Sequence, residues 1–157
     1  MPVKKLTEYL DENKIKYVRI SHSPAFTSQE IAATAHIPGK ELAKTVIIKI
    51  DGKMAMAVLP APFNIQFETL KELLGVASVR LAYEQEFIDK FPDCEVGAMP
   101  PFGNLYNLDV YVSESLAEDK EIAFNACSHS ELIKMDYADY ERVVKPKKLK
   151  FSYHSML

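Results

Sequence analysis

Three short stretches of this 157-residue chain combine residue types that do chemistry. The first is Lys44, which opens the apolar run Lys44-Thr45-Val46-Ile47-Ile48. A cation there either snorkels at a strand end or sits over a sheet pocket, where it would hold a phosphate or a sugar hydroxyl. The second stretch is Gly97-Ala98-Met99-Pro100-Pro101-Phe102-Gly103. Two adjacent prolines between glycines make a loop that is stiff in the middle and permissive at its ends. It is either an ordinary rigid connection or a frame aiming backbone N–H groups at a carbonyl oxygen, the oxyanion-hole arrangement. Pro100, Pro101 and Phe102 offer an apolar wall that would sort small side chains by size. The third stretch is Asn125-Ala126-Cys127-Ser128-His129-Ser130. Histidine as a residue type titrates near neutral pH, and His129 would orient a substrate or a water, or else simply bond local backbone. Cys127 has no evident base beside it and is not read as a nucleophile.

Other chemistries are excluded by what the chain lacks. There is no Walker loop, GxGxxG, HExxH or GxSxG. The 5 glycines are too scattered to cradle a phosphate, so no cofactor is expected. His22, His36, His129 and His154 are dispersed, and Cys94 and Cys127 form no CxxC pair, so no metal site is expected. The two thiols read as small packed side chains of a reducing compartment. A net charge of -3 and the absence of a helix-turn-helix argue against DNA binding. A protein gripping only the end of an RNA needs few phosphate contacts, and Lys40, Lys44, Lys49 and Lys53, with a basic tail at Lys145, Lys147, Lys148 and Lys150, supply local positive charge. No apolar run approaches the roughly 20 residues that span a bilayer, and the N-terminus has no apolar signal core, so a cytoplasmic protein is expected.

The elements that must position these residues follow from periodicity. Lys4–Asn13 predicts a helix with Leu6, Leu10 and Tyr9 facing inward, and Tyr17–Ser21 a strand. Thr27 and Glu30 form a capping box for a second helix ended by Pro38-Gly39. Lys44–Ile50, the Asp51-Gly52 turn and Met54–Leu59 predict a hairpin, stopped by Pro60 and Pro62. Phe67–Leu74 reads as a helix closed by Gly75, Val79–Leu81 as a strand and Glu84–Phe91 as a helix. Strands are expected at Leu108–Val112, Glu121–Asn125 and Glu131–Met135, then a helix from the N-cap Asp136 to Val144. Helices and strands mix without βαβ rhythm. The fold class is therefore α+β: a single compact domain spanning residues 1–157, with a mixed, largely antiparallel, curved or barrel-like sheet surrounded by helices.

Lys44 before Thr45-Val46-Ile47-Ile48, the Gly97–Gly103 loop and the Ser128-His129-Ser130 turn occur in an order that resembles the YbaK/ProX family, the prolyl-tRNA-synthetase-associated editing domain. The Ser23-Pro24-Ala25-Phe26-Thr27 segment resembles its N-terminal region, and the likeness covers roughly residues 5 to 145. The resemblance implies hydrolysis of the ester bond of mischarged aminoacyl-tRNA at its CCA end, in trans, with an aminoacyl-tRNA synthetase as a further partner. It gives Lys44, Gly97 and His129 catalytic roles: Lys44 on the terminal adenosine or its phosphate, the Gly97 loop at the aminoacyl carbonyl, His129 in the pocket. Thr45, Ala98, Met99, Pro100, Pro101, Phe102 and Ser128 would bind substrate. Ala98 stands where many members have a second glycine, and Ala126-Cys127-Ser128 fill a stretch often rich in glycine, which narrows the pocket. The alternative is a catalytically silent module of the same fold that binds tRNA or a synthetase.

Overall fold

A computed structural model describes residues 4–21 and 39–154 of the chain. The expected helix opened by Thr27 and Glu30 lies outside the described residues.

Helix α1 (Lys4–Glu12) buries Leu6 and Leu10, one turn apart on a single face. Strand β1 (Tyr17–Ser21) follows after Lys14, whose positive φ reverses the chain. Strands β2 (Ala43–Ile50) and β3 (Lys53–Pro60) form the expected hairpin, in register from Ala43↔Pro60 to Ile50↔Lys53. Its turn residues Asp51 and Gly52 take φ of 49° and 83°, the paired left-handed conformations that match strand twist in a two-residue loop. The Asp51 carboxylate also accepts the N–H groups of Ala77 and Ser78, at 2.9 and 2.8 Å. Pro60 does not stop β3 short: it occupies the strand's last position, opposite Ala43.

Four elements come next: β4 (Phe63–Ile65), α2 (Phe67–Leu74), β5 (Val79–Leu81) and α3 (Glu84–Phe87). Gly75 closes α2 in the left-handed conformation that only glycine adopts without cost. The helix expected over Glu84–Phe91 is shorter, because after Phe87 the chain tightens into a 3-10 turn at Ile88–Lys90. Then come β6 (Asp109–Ser113), α4 (Glu114–Ala117), β7 (Glu121–Asn125), β8 (Glu131–Asp136) and α5 (Tyr137–Val144). The lysine-rich segment read as a tail is structured, as β9 (Lys147–Leu149) and β10 (Ser152–His154).

The fold is α+β. A five-stranded sheet runs β5-β2-β3-β6-β9, a three-stranded sheet β1-β8-β7, and β10 pairs with β4. The first sheet is mixed, since β3–β6 and β6–β9 are parallel. Among the described residues the sheets stay open, so the curved sheet does not close into a barrel. One parallel bridge, Leu42↔Ala123, ties the start of β2 to β7. The main core fills the space between the two larger sheets, with Ala43 and Ile47 of β2 meeting Ile122 and Phe124 of β7. On the other side of β2, Ile48 packs with Leu59, Leu70 and Phe151. Burial on both faces explains why β2 reads as a continuous apolar run rather than an alternation.

Among the described residues no helix is long and apolar enough to cross a membrane, and no group of three or more His, Cys, Asp or Glu side chains is placed to hold a metal ion.

Candidate active site

Two of the three stretches meet directly. Glu95 donates its N–H to the Cys127 carbonyl at 2.9 Å, and Cys127 returns its own N–H to the Ala98 carbonyl at 2.9 Å. This ladder brings the Cys94 and Cys127 Cα atoms to 4.1 Å, and the two sulfurs form a disulfide across 33 residues. The expectation of two separate packed thiols is therefore corrected. The reason is tertiary: each cysteine lies in a loop, and only the backbone bonds between the loops bring them together.

His129 is held against the same loop. Its backbone N–H donates to the Glu95 carboxylate at 2.9 Å, and its ring Nε2 lies 2.7 Å from the Val96 carbonyl. A carbonyl accepts only, so Nε2 carries a proton and donates to it. Gly97, at φ 85°, lies under this imidazole; a Cβ there would come within 3.5 Å of His129 Cε1. Ser128 supports the turn through its hydroxyl, 2.9 Å from that of Ser130 and accepting the Ser130 N–H at 3.1 Å.

The loop's donors can be counted. Pro100 and Pro101 have no N–H. The N–H of Ala98 goes to the Glu95 carbonyl at 3.0 Å and that of Phe102 to the Pro100 carbonyl at 2.8 Å. The N–H groups of Gly97, Met99 and Gly103 make no hydrogen bond among the described residues, and of the three only Gly97 is exposed. N–H groups left unbonded in this way are what an oxyanion requires. Pro100 and Pro101 are buried, and Phe102 is turned into the core against Tyr9, Phe124 and Tyr140. Phe102 thus props the loop from beneath instead of forming the outer wall expected of it. Met99 is buried in the same core. The Tyr140 hydroxyl donates to the Pro101 carbonyl at 2.7 Å and pins the loop to α5.

Lys44 is linked to the third stretch only through strand pairing. Two residues beyond the Leu42↔Ala123 bridge stand Lys44 on β2 and Asn125 on β7, where β7 runs into the His129 turn. Lys44 shares its side of the strand with Leu42 and Val46, whereas Thr45 shares the opposite side with Ala43 and Ile47. No hydrogen bond or ion pair among the described residues joins Lys44 to Gly97 or His129. The Lys44 ammonium is half-buried, and burial lowers its pKa. It has no carboxylate partner among the described residues, unlike Lys49, which pairs with Glu86 at 3.3 Å. The side chain lines a cleft of about 280 Å³ with Val46, Asn64, Ile65, Phe67, Leu81 and Tyr153. Thr45 Oγ1 and Asn125 Oδ1 are buried and lack a hydrogen-bond partner among the described residues.

Sequence reading passed over Glu95, which orients the His129 turn, and gave no role to Asn125, Asn64 or Tyr153. Glu95 had no local signal, being one acidic residue in an acidic run. Asn125 had one, as a polar residue ending the apolar strand Ile122-Ala123-Phe124.

Among the described residues the structure therefore brings the His129 imidazole together with the Gly97 loop, and places Lys44 apart from them in the cleft that Asn64 and Tyr153 also line. Residues 22–143 match the aminoacyl-tRNA editing domain, and the chain belongs to that family. Among curated proteins it is 26% identical over 143 residues to the prolyl-tRNA editing protein ProX of Acetoanaerobium sticklandii, covering 87% of this chain and 86% of that one. It is 24% identical over 100 residues to the proline–tRNA ligase of Bacillus mycoides, a match covering 64% of this chain but only 17% of the ligase. The chain thus spans about a fifth or less of the ligases it matches. A solved structure described as a proposed trans-editing enzyme for prolyl tRNA synthetase superposes with a TM-score of 0.82 at 15% identity, covering 97% of both chains.

Proposed function

We propose that residues 1–157 form one aminoacyl-tRNA deacylase domain acting in trans, in the cytoplasm, on tRNA mischarged with a small amino acid. The observation that carries the reading is the loop whose Gly97 lies under His129 and whose Gly97 and Met99 N–H groups make no hydrogen bond among the described residues, in a chain of the editing family. The match to ProX over most of that protein's length supports action in trans, and the matches to proline–tRNA ligases support a synthetase as a partner.

In this reading Lys44 holds the 3′-terminal adenosine or its phosphate and Ser128 is a further polar contact, while Thr45, on the opposite side of β2, does not share it. The Gly97 and Met99 amides bind the ester carbonyl oxygen as it gains charge. Water adds to the carbonyl carbon, the bond to the ribose oxygen breaks, and that oxygen takes a proton to leave a free tRNA 3′ end and a free amino acid. His129 orients the water or the amino group, and catalysis rests mainly on positioning. Ala98, Pro100 and Pro101 limit the side-chain space, which favours alanine, proline, cysteine or serine. A second sieve of this kind is useful because one methylene is worth only about 1–3 kcal/mol in a synthetase pocket.

The test is deacylation of a panel of mischarged tRNAs by wild type and Lys44→Ala. The expected result is turnover of one or a few tRNAs bearing small residues, reduced at least about 100-fold in the variant. Binding without turnover would replace this reading with that of a silent module.

A further inference from the structure

We propose that the cleft between Lys44 and Tyr153 is a nucleoside subsite, in which the terminal adenine lies on the Tyr153 ring, its edge meets Asn64 and the adjoining phosphate rests on Lys44. This rests on the editing reading and adds residues to which nothing above gives a role.

Tyr153 and Asn64 are cross-strand partners in the antiparallel β10–β4 pair, so their side chains stand together on one face. The ribbon beneath them is fixed. Phe151 is fully buried and its carbonyl accepts the Gln66 N–H at 2.6 Å; the Ser152 hydroxyl lies 2.6 Å from that of Ser113 inside the protein. Yet Tyr153, the next residue, is 47% exposed, and its hydroxyl makes no hydrogen bond among the described residues. An aromatic ring left half uncovered on a strand whose backbone is fixed offers a face on which a base can stack.

The rest of the cleft fits the same ligand. Val46, Ile65 and Phe67 give it an apolar floor, and about 280 Å³ lies just below the usual range for drug-sized ligands, which suits a single nucleoside. An asparagine amide presents a donor and an acceptor side by side, the pattern that pairs with adenine N7 and N6. Lys44, without an anionic partner among the described residues, supplies the complementary charge for one phosphodiester, and burial strengthens that attraction. Single-stranded RNA ends are recognised in this way, by splayed bases stacked on aromatic side chains.

The chain has no tryptophan, so Tyr153→Trp places a single fluorophore on the platform. The 5′-phosphorylated trinucleotide CCA is expected to quench it saturably, and to do so far more weakly when Lys44→Met is added. In kinetics, Tyr153→Ala should raise KM for charged tRNA about tenfold with a smaller change in kcat, and Tyr153→Phe should restore it. Wild-type deacylation with an unchanged KM in Tyr153→Ala and no quenching in Tyr153→Trp would overturn the subsite and leave the editing reading intact. Quenching by CCA without deacylation by wild type would uphold the subsite and sink the editing reading.

Discussion

Replacing Tyr140 by Phe isolates one atom that links the core to the site. The Tyr140 side chain is fully buried, and its hydroxyl donates to the Pro101 carbonyl at 2.7 Å. No other donor reaches that carbonyl among the described residues. Phenylalanine keeps the ring and its perpendicular contact with Phe102, centroids 5.4 Å apart, so no large cavity opens. What is lost is the bond itself, and a buried carbonyl is left without a partner. Such a loss costs about 1–3 kcal/mol, more than the net worth of an average hydrogen bond, because the acceptor cannot turn to water. Taking about 2 kcal/mol, the folding equilibrium falls about 30-fold and Tm by about 4–8 °C for a chain of this size. Urea unfolding should show a lower midpoint with an unchanged slope, since the surface exposed on unfolding is the same. The loop carrying the Gly97 and Met99 amides is anchored by this bond, so deacylation should lose kcat more than it gains in KM. A stability loss below about 0.5 kcal/mol with unaltered kcat would refute the view that Tyr140 pins the loop.

Gly103→Ala should be more damaging: its Cβ would meet Val110 Cγ2 at 2.6 Å and the Leu108 carbonyl oxygen at 2.8 Å, and the latter is backbone that cannot rotate away. Overpacking of this kind costs about 1–3 kcal/mol, read as a drop in Tm, and wild-type stability would contradict the packing. Asp119 has its pKa pushed up to about 6, first by burial and then by Glu41 and Glu118, with Lys40 opposing. Because the folded value lies above the ordinary 3.8, the folded state holds the proton more tightly, and stability is lost as pH rises from about 4 to about 6. Asp119→Asn should therefore be more stable than wild type at pH 7, with a smaller advantage at pH 4; a pH-independent difference in Tm would rule this out.

The sequence by itself determined the elements whose signals are local. The Asp51-Gly52 hairpin, the Gly75 stop after Leu74, the strand at Tyr17–Ser21 and the helix ending at Val144 each depend on turn chemistry or apolar spacing within a few residues. The order of Lys44, the Gly97 loop and the His129 turn was also enough to indicate the family. Of the three-residue strands β5 was legible, but β4, β9 and β10 were not: they exist because neighbouring strands offer them backbone partners, and the lysines of β9 look like a solvated tail. The same holds for the site's interior. Glu95 bonds the His129 turn, Cys94 finds Cys127, Tyr140 pins Pro101, and Tyr153 stands beside Asn64. In every case the partners are more than 30 residues apart, and only the closing of the sheets and loops brings them within bonding distance. Local propensity can choose a strand or a turn, but it cannot rank partners across the chain. That choice was made by burial, and by the need of each buried donor and acceptor to be paired.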